Sequence, residues 1–333
     1  MYGGRATDWK KHSALIIECI VLGLVFLVLP FSGSAYILTL MIISLHYVYL
    51  SQSWNLIFGY CGQLALGNGL FYGITGYFST RLFLDAGVSP YFGALLGGLL
   101  SALVALLLGA FLFRGKLKGL YLGLVTLAAM GITEAIFNNW AYVGSSAGIY
   151  LPLKNLPRQF MFTNRLPYYF IALFMVLVMI AATWKIEKSK LGHRAIAVRE
   201  NEEAAEASGI DCFRTKLVMF VLSAFFMGLA GTFYAQFMLY ISPEIMFGFS
   251  NTVLLPMLGV IVGGRGTVFG PILGSLAFSL LGEFLRRVTF LHGPQISAAT
   301  MMIYGIVLTI ASIRYHGGLM ALMSARGPLG RNK

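Results

Sequence analysis

The stretch VLVMIAATWKIEKSKLGHRAIAVRENEEAAEASGIDCFRTKLVMFVLSAFF runs from Val176 to Phe226 and changes character twice. Its two ends are apolar. Its middle, Lys185 to Lys216, holds six of the chain's 12 acidic residues and seven of its 24 basic ones. The rest of the chain cannot be a soluble core: 58% of its 333 residues are hydrophobic, 11% are charged and mean hydropathy is +0.79, whereas soluble domains carry about 25% charged residues. Apolar runs joined by polar connectors describe an all-α fold, a polytopic transmembrane helix bundle.

A bilayer core takes about 20 apolar residues per helix. Runs of that kind lie near 13–30, 35–56, 67–84, 91–113, 119–141, 167–184, 217–240, 250–264, 269–285 and 297–313, which gives about ten spans. The eighth and ninth are short and glycine-interrupted. The first run follows Arg5, Lys10 and Lys11 and lacks a small-x-small cleavage site, so it reads as a retained anchor. With the N-terminus in the cytoplasm, 18 of the 24 basic residues fall inside. The six others are Arg81, Lys154, Arg158, Arg165, Arg286 and Arg287. This is the asymmetry of the positive-inside rule, and it makes both termini cytoplasmic. The whole chain, 1–333, then reads as a single transmembrane domain. Residues 185–216 form its largest cytoplasmic loop, 142–166 a proline-broken outer loop and 315–333 a cytoplasmic tail.

Several function classes drop out. The net charge of +12 is explained by loops beside anionic lipid; no basic stripe with interleaved aromatics points to nucleic acid. Cys19, Cys61 and Cys212 show no metal or disulfide spacing. The five histidines are scattered, and no nucleophile and base stand at a catalytic spacing. No phosphate-binding G-x-x-x-x-G-K-[ST] occurs, since Gly115-Lys116 is followed by Leu117 and position 110 is Ala110. The chain is expected to be neither an enzyme nor an ATPase, and to bind no metal or cofactor of its own.

Within the polar middle, Asn201 is placed to cap a helix of roughly two turns, ~10 Å at 1.5 Å per residue. Glu202 and Glu203 sit in its first turn, where the helix dipole favours negative charge. Gly209 ends it in a left-handed conformation. Such a segment is either a solvated connector or a docking element, and Ala204, Ala205 and Ala207 leave a smooth surface suited to the second.

The pattern Glu203-Ala204-Ala205, three residues, then Gly209 resembles the EAA motif of ABC-importer permeases, the helix such subunits press into a groove on their ATPase. GHRAIAVRENEEAAEASGIDCFRTKLVMFVLSAFFMGLAG (192–231), NLIFGYCGQLALGNGLFYGITGY (55–77), LKGLYLGLVTLA (117–128) and GGRGTVFGPILG (263–274) are similar to the LivM-like permeases of branched-chain amino-acid ABC transporters. The resemblance implies a multi-pass permease of the bacterial inner membrane. It implies a second, related permease subunit, two ATP-binding subunits that use the ATP, and a periplasmic substrate-binding protein. Arg199, Glu202, Glu203, Ala204, Ala205 and Gly209 would couple the chain to its ATPases. The substrate would be a branched-chain or hydrophobic amino acid; urea and short-amide permeases look alike, and a proton-coupled secondary transporter is the alternative of another class. Two departures bear on the ligand: Ala65 and Asn68 stand where the family usually has Ser and His, and VGSSAG (143–148) where the outer stretch often reads T-G-G-x-x-G.

Glycines punctuate two apolar runs. Irregular backbone survives in lipid only where protein or a water-filled cavity surrounds it, and paired interrupted segments point to a pathway; tight helix packing is the other reading. The expected pathway residues are Gly62, Gln63, Gly67, Asn68 and Phe71 in the first run and Gly264, Gly266 and Gly270 in the second. Glu134, with Asn138 one turn on, is an intramembrane acid that either faces the pathway or makes an interhelical hydrogen bond. His46 reads as a packed, hydrogen-bonded residue.

Overall fold

The computed structural model describes residues 34–152 and 157–288, with positions 302, 305 and 306. The expected first span and the 315–333 tail lie outside the described residues, as does nearly all of the span near 297–313. The long helices are α1 (Ala35–Asn55, continued by a π turn, Leu56–Tyr60), α2 (Gly69–Ala86), α3 (Pro90–Arg114), α4 (Gly119–Asn139) and α5 (Leu166–Glu187). Two short helices, α6 (Lys190–Glu200) and α7 (Glu202–Ala207), precede the long α8 (Cys212–Met238). Then follow α9 (Pro243–Phe247), a second π turn (Ser250–Leu254), α10 (Leu255–Gly263) and α11 (Gly270–Val288). Among the described residues six segments are long and apolar enough to cross a membrane: Ala35–Tyr60, Pro90–Arg114, Gly119–Asn139, Leu166–Glu187, Cys212–Met238 and Pro243–Gly263. The chain is an all-α, multi-pass membrane protein. Helices α2 and α11 fill the expected third and ninth positions without being among the six, and α2 carries Arg81 and Asp85 in its last turns.

Apolar burial cannot hold helices together in lipid, so close packing and interhelical hydrogen bonds must. The bundle uses both. Helix α8 runs along α2 and α3, and α1 packs on α5, α10 and α11. Thr75 on α2 donates to the Gly97 carbonyl of α3 (2.9 Å), and Ser101 on α3 donates back to Phe71 (3.0 Å). Ser53 and Ser223 exchange hydroxyl-to-carbonyl bonds between α1 and α8 (2.7 and 2.8 Å), and Ser51 meets Ser275 of α11 at 2.7 Å. At about 0.6 kcal/mol each, such bonds fix register more than they supply stability.

The polar groups divide between two ends. At one, Tyr142 on the segment after α4 donates to Asp85, and Arg81 lies over its ring at 4.6 Å. There too a two-residue antiparallel pair, Ile149↔Ile241 and Tyr150↔Tyr240, joins the stretch after α4 to the end of α8. At the other end Lys118, the α6–α7 segment and the turn between α10 and α11 come together.

Candidate functional site

Three side-chain caps shape the polar segment. Ser189 accepts from the Gly192 amide (3.3 Å), Asn201 from Ala204 (3.0 Å) and Asp211 from Arg214 (2.9 Å). Each cap stabilises its helix by ~1 kcal/mol. The chain thereby turns into α6, α7 and α8 in succession. Helix α7 has the expected start at Asn201 and acids in its first turn. Gly209, at φ +81°, carries the chain off its end.

Helix α7 is pinned from below. Glu202 accepts from the Lys216 ammonium of α8 at 2.5 Å and lies 3.3 Å from Lys118 at the start of α4. The Lys216 side chain is 3% exposed, that of Glu202 16%, and the ammonium also sits 5.4 Å from the Phe113 ring centroid. Burial alone would raise the Glu202 carboxyl; the Lys216 and then the Lys118 ammonium outweigh it and hold the group below the usual carboxylate range. Ala205 is buried beside it, while Glu203, Ala204, Glu206 and Ala207 are exposed. The acid and alanine that open the motif thus face outward, and its neighbours Glu202 and Ala205 anchor the helix.

Arg199 ties the same segment to both glycine-interrupted runs. Its Nη1 donates to the Gly59 carbonyl (2.7 Å), while Nε and Nη2 grip Glu200 at 3.0 and 2.7 Å. A Cβ at Gly62 would lie 2.7 Å from the Arg199 Cγ, and one at Gly266 would overlap its Nη1. Gly59 lies in the first π turn, where the ladder of α1 loosens before the chain leaves the helix. From α1, Asn55 donates to the Thr267 carbonyl and accepts from the Gly266 amide, both at 2.9 Å, and Gln52 donates to Val268. Gly62, Gly264 and Gly266 therefore meet at one polar end of the bundle, beneath α6. Gly270 stands at the start of α11, where its carbonyl touches Gly263.

The first glycine run is a broken segment. Residues 62–67 are non-helical and turn back into the bundle. Trp54 Nε1 donates to the Ala65 carbonyl (2.7 Å), and the Leu66 amide donates to Thr126 of α4 (3.0 Å). Thr126 lies seven residues into α4 from Gly119, so the loop penetrates ~10 Å at 1.5 Å per residue. Gly67 rests on the Thr126 carbonyl and Gly69 on Thr252 and Met130. Between them Asn68 is 1% exposed and neither amide atom has a partner; Gln63 Oε1 is likewise unpaired. An unmade bond in such a place costs ~1–3 kcal/mol. Phe71, one turn on from Asn68, packs its ring edge-on to Phe220 in the apolar core (5.4 Å).

Glu134 and Asn138 sit half-buried toward the far end of α4, with Glu134 within electrostatic range of Glu244 on α9. They do not join the Asn68 cluster. His46 is packed as expected, 3.2 Å from the Tyr72 hydroxyl and stacked on Phe233. Among the described residues no group of acids, histidines and cysteines could hold a metal. Sequence reasoning missed Lys118, Lys216, Gln52 and Asn55. Nothing near Asn55 in the chain signals a partner 211 residues later.

The branched-chain amino acid transport system / permease component family model matches residues 36–312. The high-affinity branched-chain amino acid transport system permease protein LivM of Salmonella typhimurium and that of Escherichia coli are each 28% identical over 304 residues, covering 83% of this chain and 69% of theirs. The ribose import permease protein RbsC of Haemophilus influenzae is 24% identical over 241 residues, 68% of each chain. Among solved structures, PsaBC from Streptococcus pneumoniae in complex with Fab is similar at a TM-score of 0.44 and 12% identity, over 85% of this chain and 92% of that one.

Proposed function

From the premise that the chain belongs to the branched-chain amino acid transport system permease component family, we propose that it is the membrane-spanning subunit of an inner-membrane ABC importer for branched-chain or other hydrophobic amino acids. It works with a second, related permease subunit, two ATP-binding subunits that supply the energy, and a periplasmic substrate-binding protein. The match to that family over residues 36–312, with two LivM proteins alike over 83% of the chain, carries the reading. Residues 185–216 are then the cytoplasmic coupling loop, with α7 entering the ATPase groove by its Glu203, Ala204, Glu206 and Ala207 face. Supporting this, α7 is held rigidly to α4 and α8 through Glu202, so a push on it moves long helices. Helix α4 is the least enclosed of the six apolar segments; its outer face suits the second permease, with the substrate path alongside Asn68 and Gln63.

Reconstitution in vesicles together with ATP-binding subunits and a substrate-binding protein that assemble with it tests the assignment. Leucine, isoleucine or valine uptake dependent on ATP is expected; uptake of urea, short amides or ribose in their place overturns the amino-acid assignment, and uptake driven by a proton gradient without ATPases overturns the transporter class. In a background lacking Cys19, Cys61 and Cys212, Ala207→Cys should label only from the cytoplasm and Ser146→Cys only from outside. Labelling of both from one side would sink the orientation.

Asn68→Leu should lower uptake roughly tenfold or more while the complex stays intact. The amide has no protein bond to lose, and an apolar side chain removes an unpaired polar group of ~1–3 kcal/mol. Normal uptake would place the amide off the path.

A further inference from the structure

Resting on that reading, we propose that Arg199 is a positioning residue that makes the coupling loop and both glycine-interrupted segments move as one joint. Three groups converge on its guanidinium and a fourth on its stem. The carbonyl of Gly59 is drawn from the π turn that ends the first described span. Glu200 fixes the other edge of the planar group. The turn between α10 and α11 passes so close that only a glycine fits at 266, and Gly266 is held there by Asn55, four residues before Gly59 on α1. Gly62, where the chain turns back into the bundle, packs on the arginine's aliphatic stem.

The chemistry explains why this is an arginine. A planar fork satisfies a carboxylate on one edge and a backbone carbonyl on the other, and its geometry then sets the distance between them. A π turn supplies a carbonyl outside the regular ladder, and such turns recur at functional sites. Displacement of α6 by a partner is therefore delivered to Gly59 directly and to the α10–α11 turn through Gly266 and Asn55. The broken run that carries Asn68 begins three residues after Gly59, so the buried amide is the far end of the same lever.

The test uses the full transporter in lipid nanodiscs and vesicles, with Arg199→Gln and Arg199→Lys. Spin labels at Arg194 on α6 and Phe269 beside the turn report the joint whatever the substrate. In the parent complex one narrow distance distribution is expected, with ATP trapping moving it as a single peak. Arg199→Gln should broaden it and lower the amino acid moved per ATP hydrolysed roughly tenfold, with both ATPase subunits still co-purifying. Arg199→Lys keeps the charge but not the fork, and should fall between. An unchanged distribution and ratio in Arg199→Gln, or full rescue by lysine, overturns the proposal. Uptake and hydrolysis falling in proportion, with ATPase subunits lost, reduces Arg199 to a brace and overturns it too. A parent complex that moves no amino acid would sink the transport reading, while the distance measurement would still decide the joint.

Discussion

Gly263→Ala is expected to leave no folded permease to assay. A methyl group there would overlap the carbonyl oxygen of Gly270, and one at Gly274 would overlap that of Gly259. Helices α10 and α11 thus meet backbone to backbone, and no flexible side chain can move aside. Accommodating the methyl means parting the helices, which also pulls the intervening turn from Gln52 and Asn55. Overpacking in a rigid setting costs about 1–3 kcal/mol or more, and the lost polar contacts add to it. Size-exclusion yield and thermal unfolding in detergent are the measurements. Gly131→Ala is the control: a methyl there meets nothing within 4 Å, so helix propensity alone should make it neutral or stabilising by up to about 1 kcal/mol. Parent-level yield for Gly263→Ala would show that the two helices are not in backbone contact.

The second large effect is expected at Glu202. Removing one member of a buried ion pair costs about 3–5 kcal/mol, because the other charge is stranded. Glu202 is partly exposed, so Glu202→Ala should lie near the lower end, with Lys216 stranded at 3% exposure. Uptake should fall with it, since α7 loses its anchor. The double variant Glu202→Gln with Lys216→Met should be more stable than Glu202→Ala, because no charge is left unpaired. If the double variant unfolds at the lower temperature, the pair is not the source of the effect. The pH dependence follows from the depressed carboxyl: its contribution is complete above the unfolded value of about 4.3 and is lost as pH falls through the lower folded value. Between pH 6 and 8 the pair should therefore contribute equally, and a change in the Glu202-dependent part of stability within that range would contradict it.

The local signals were legible and the long-range ones were not. Asn201, Glu202, Glu203 and Gly209 announce α7 because capping and left-handed glycine are decided within a few residues. The span near 119–141 was legible for the same reason, being a continuous apolar run. The glycines of the run 55–77 left a break and tight packing both open, and the structure has 62–67 non-helical. Which residues hold the break could not: Thr126, Arg199 and Gly266 lie far along the chain, and a bond between distant positions leaves no periodicity. The π turns were equally hidden, since neither the apolar Leu56–Tyr60 nor the more polar Ser250–Leu254 carries a residue pattern that marks a change of helical pitch. The sequence places Glu202 with the docking residues, and the ammonium groups of Lys216 and Lys118, both distant in the chain, show that it also anchors the helix.

The grip of the first described span on the last has a consequence for biogenesis. Gln52 and Asn55 find their partners 216 and 212 residues later, and Ser51 finds Ser275 after 224. A ribosome adding about 5–20 residues per second needs roughly 10–40 seconds to make that stretch. Throughout that interval two carboxamides and a hydroxyl lie in or beside the bilayer without their partners, so the nascent segment must be kept beside a protein or at the wet lip of the insertion machinery. Synthesis halted before residue 264 should leave this span extractable and protease-sensitive, whereas release of the whole chain should lock it in place.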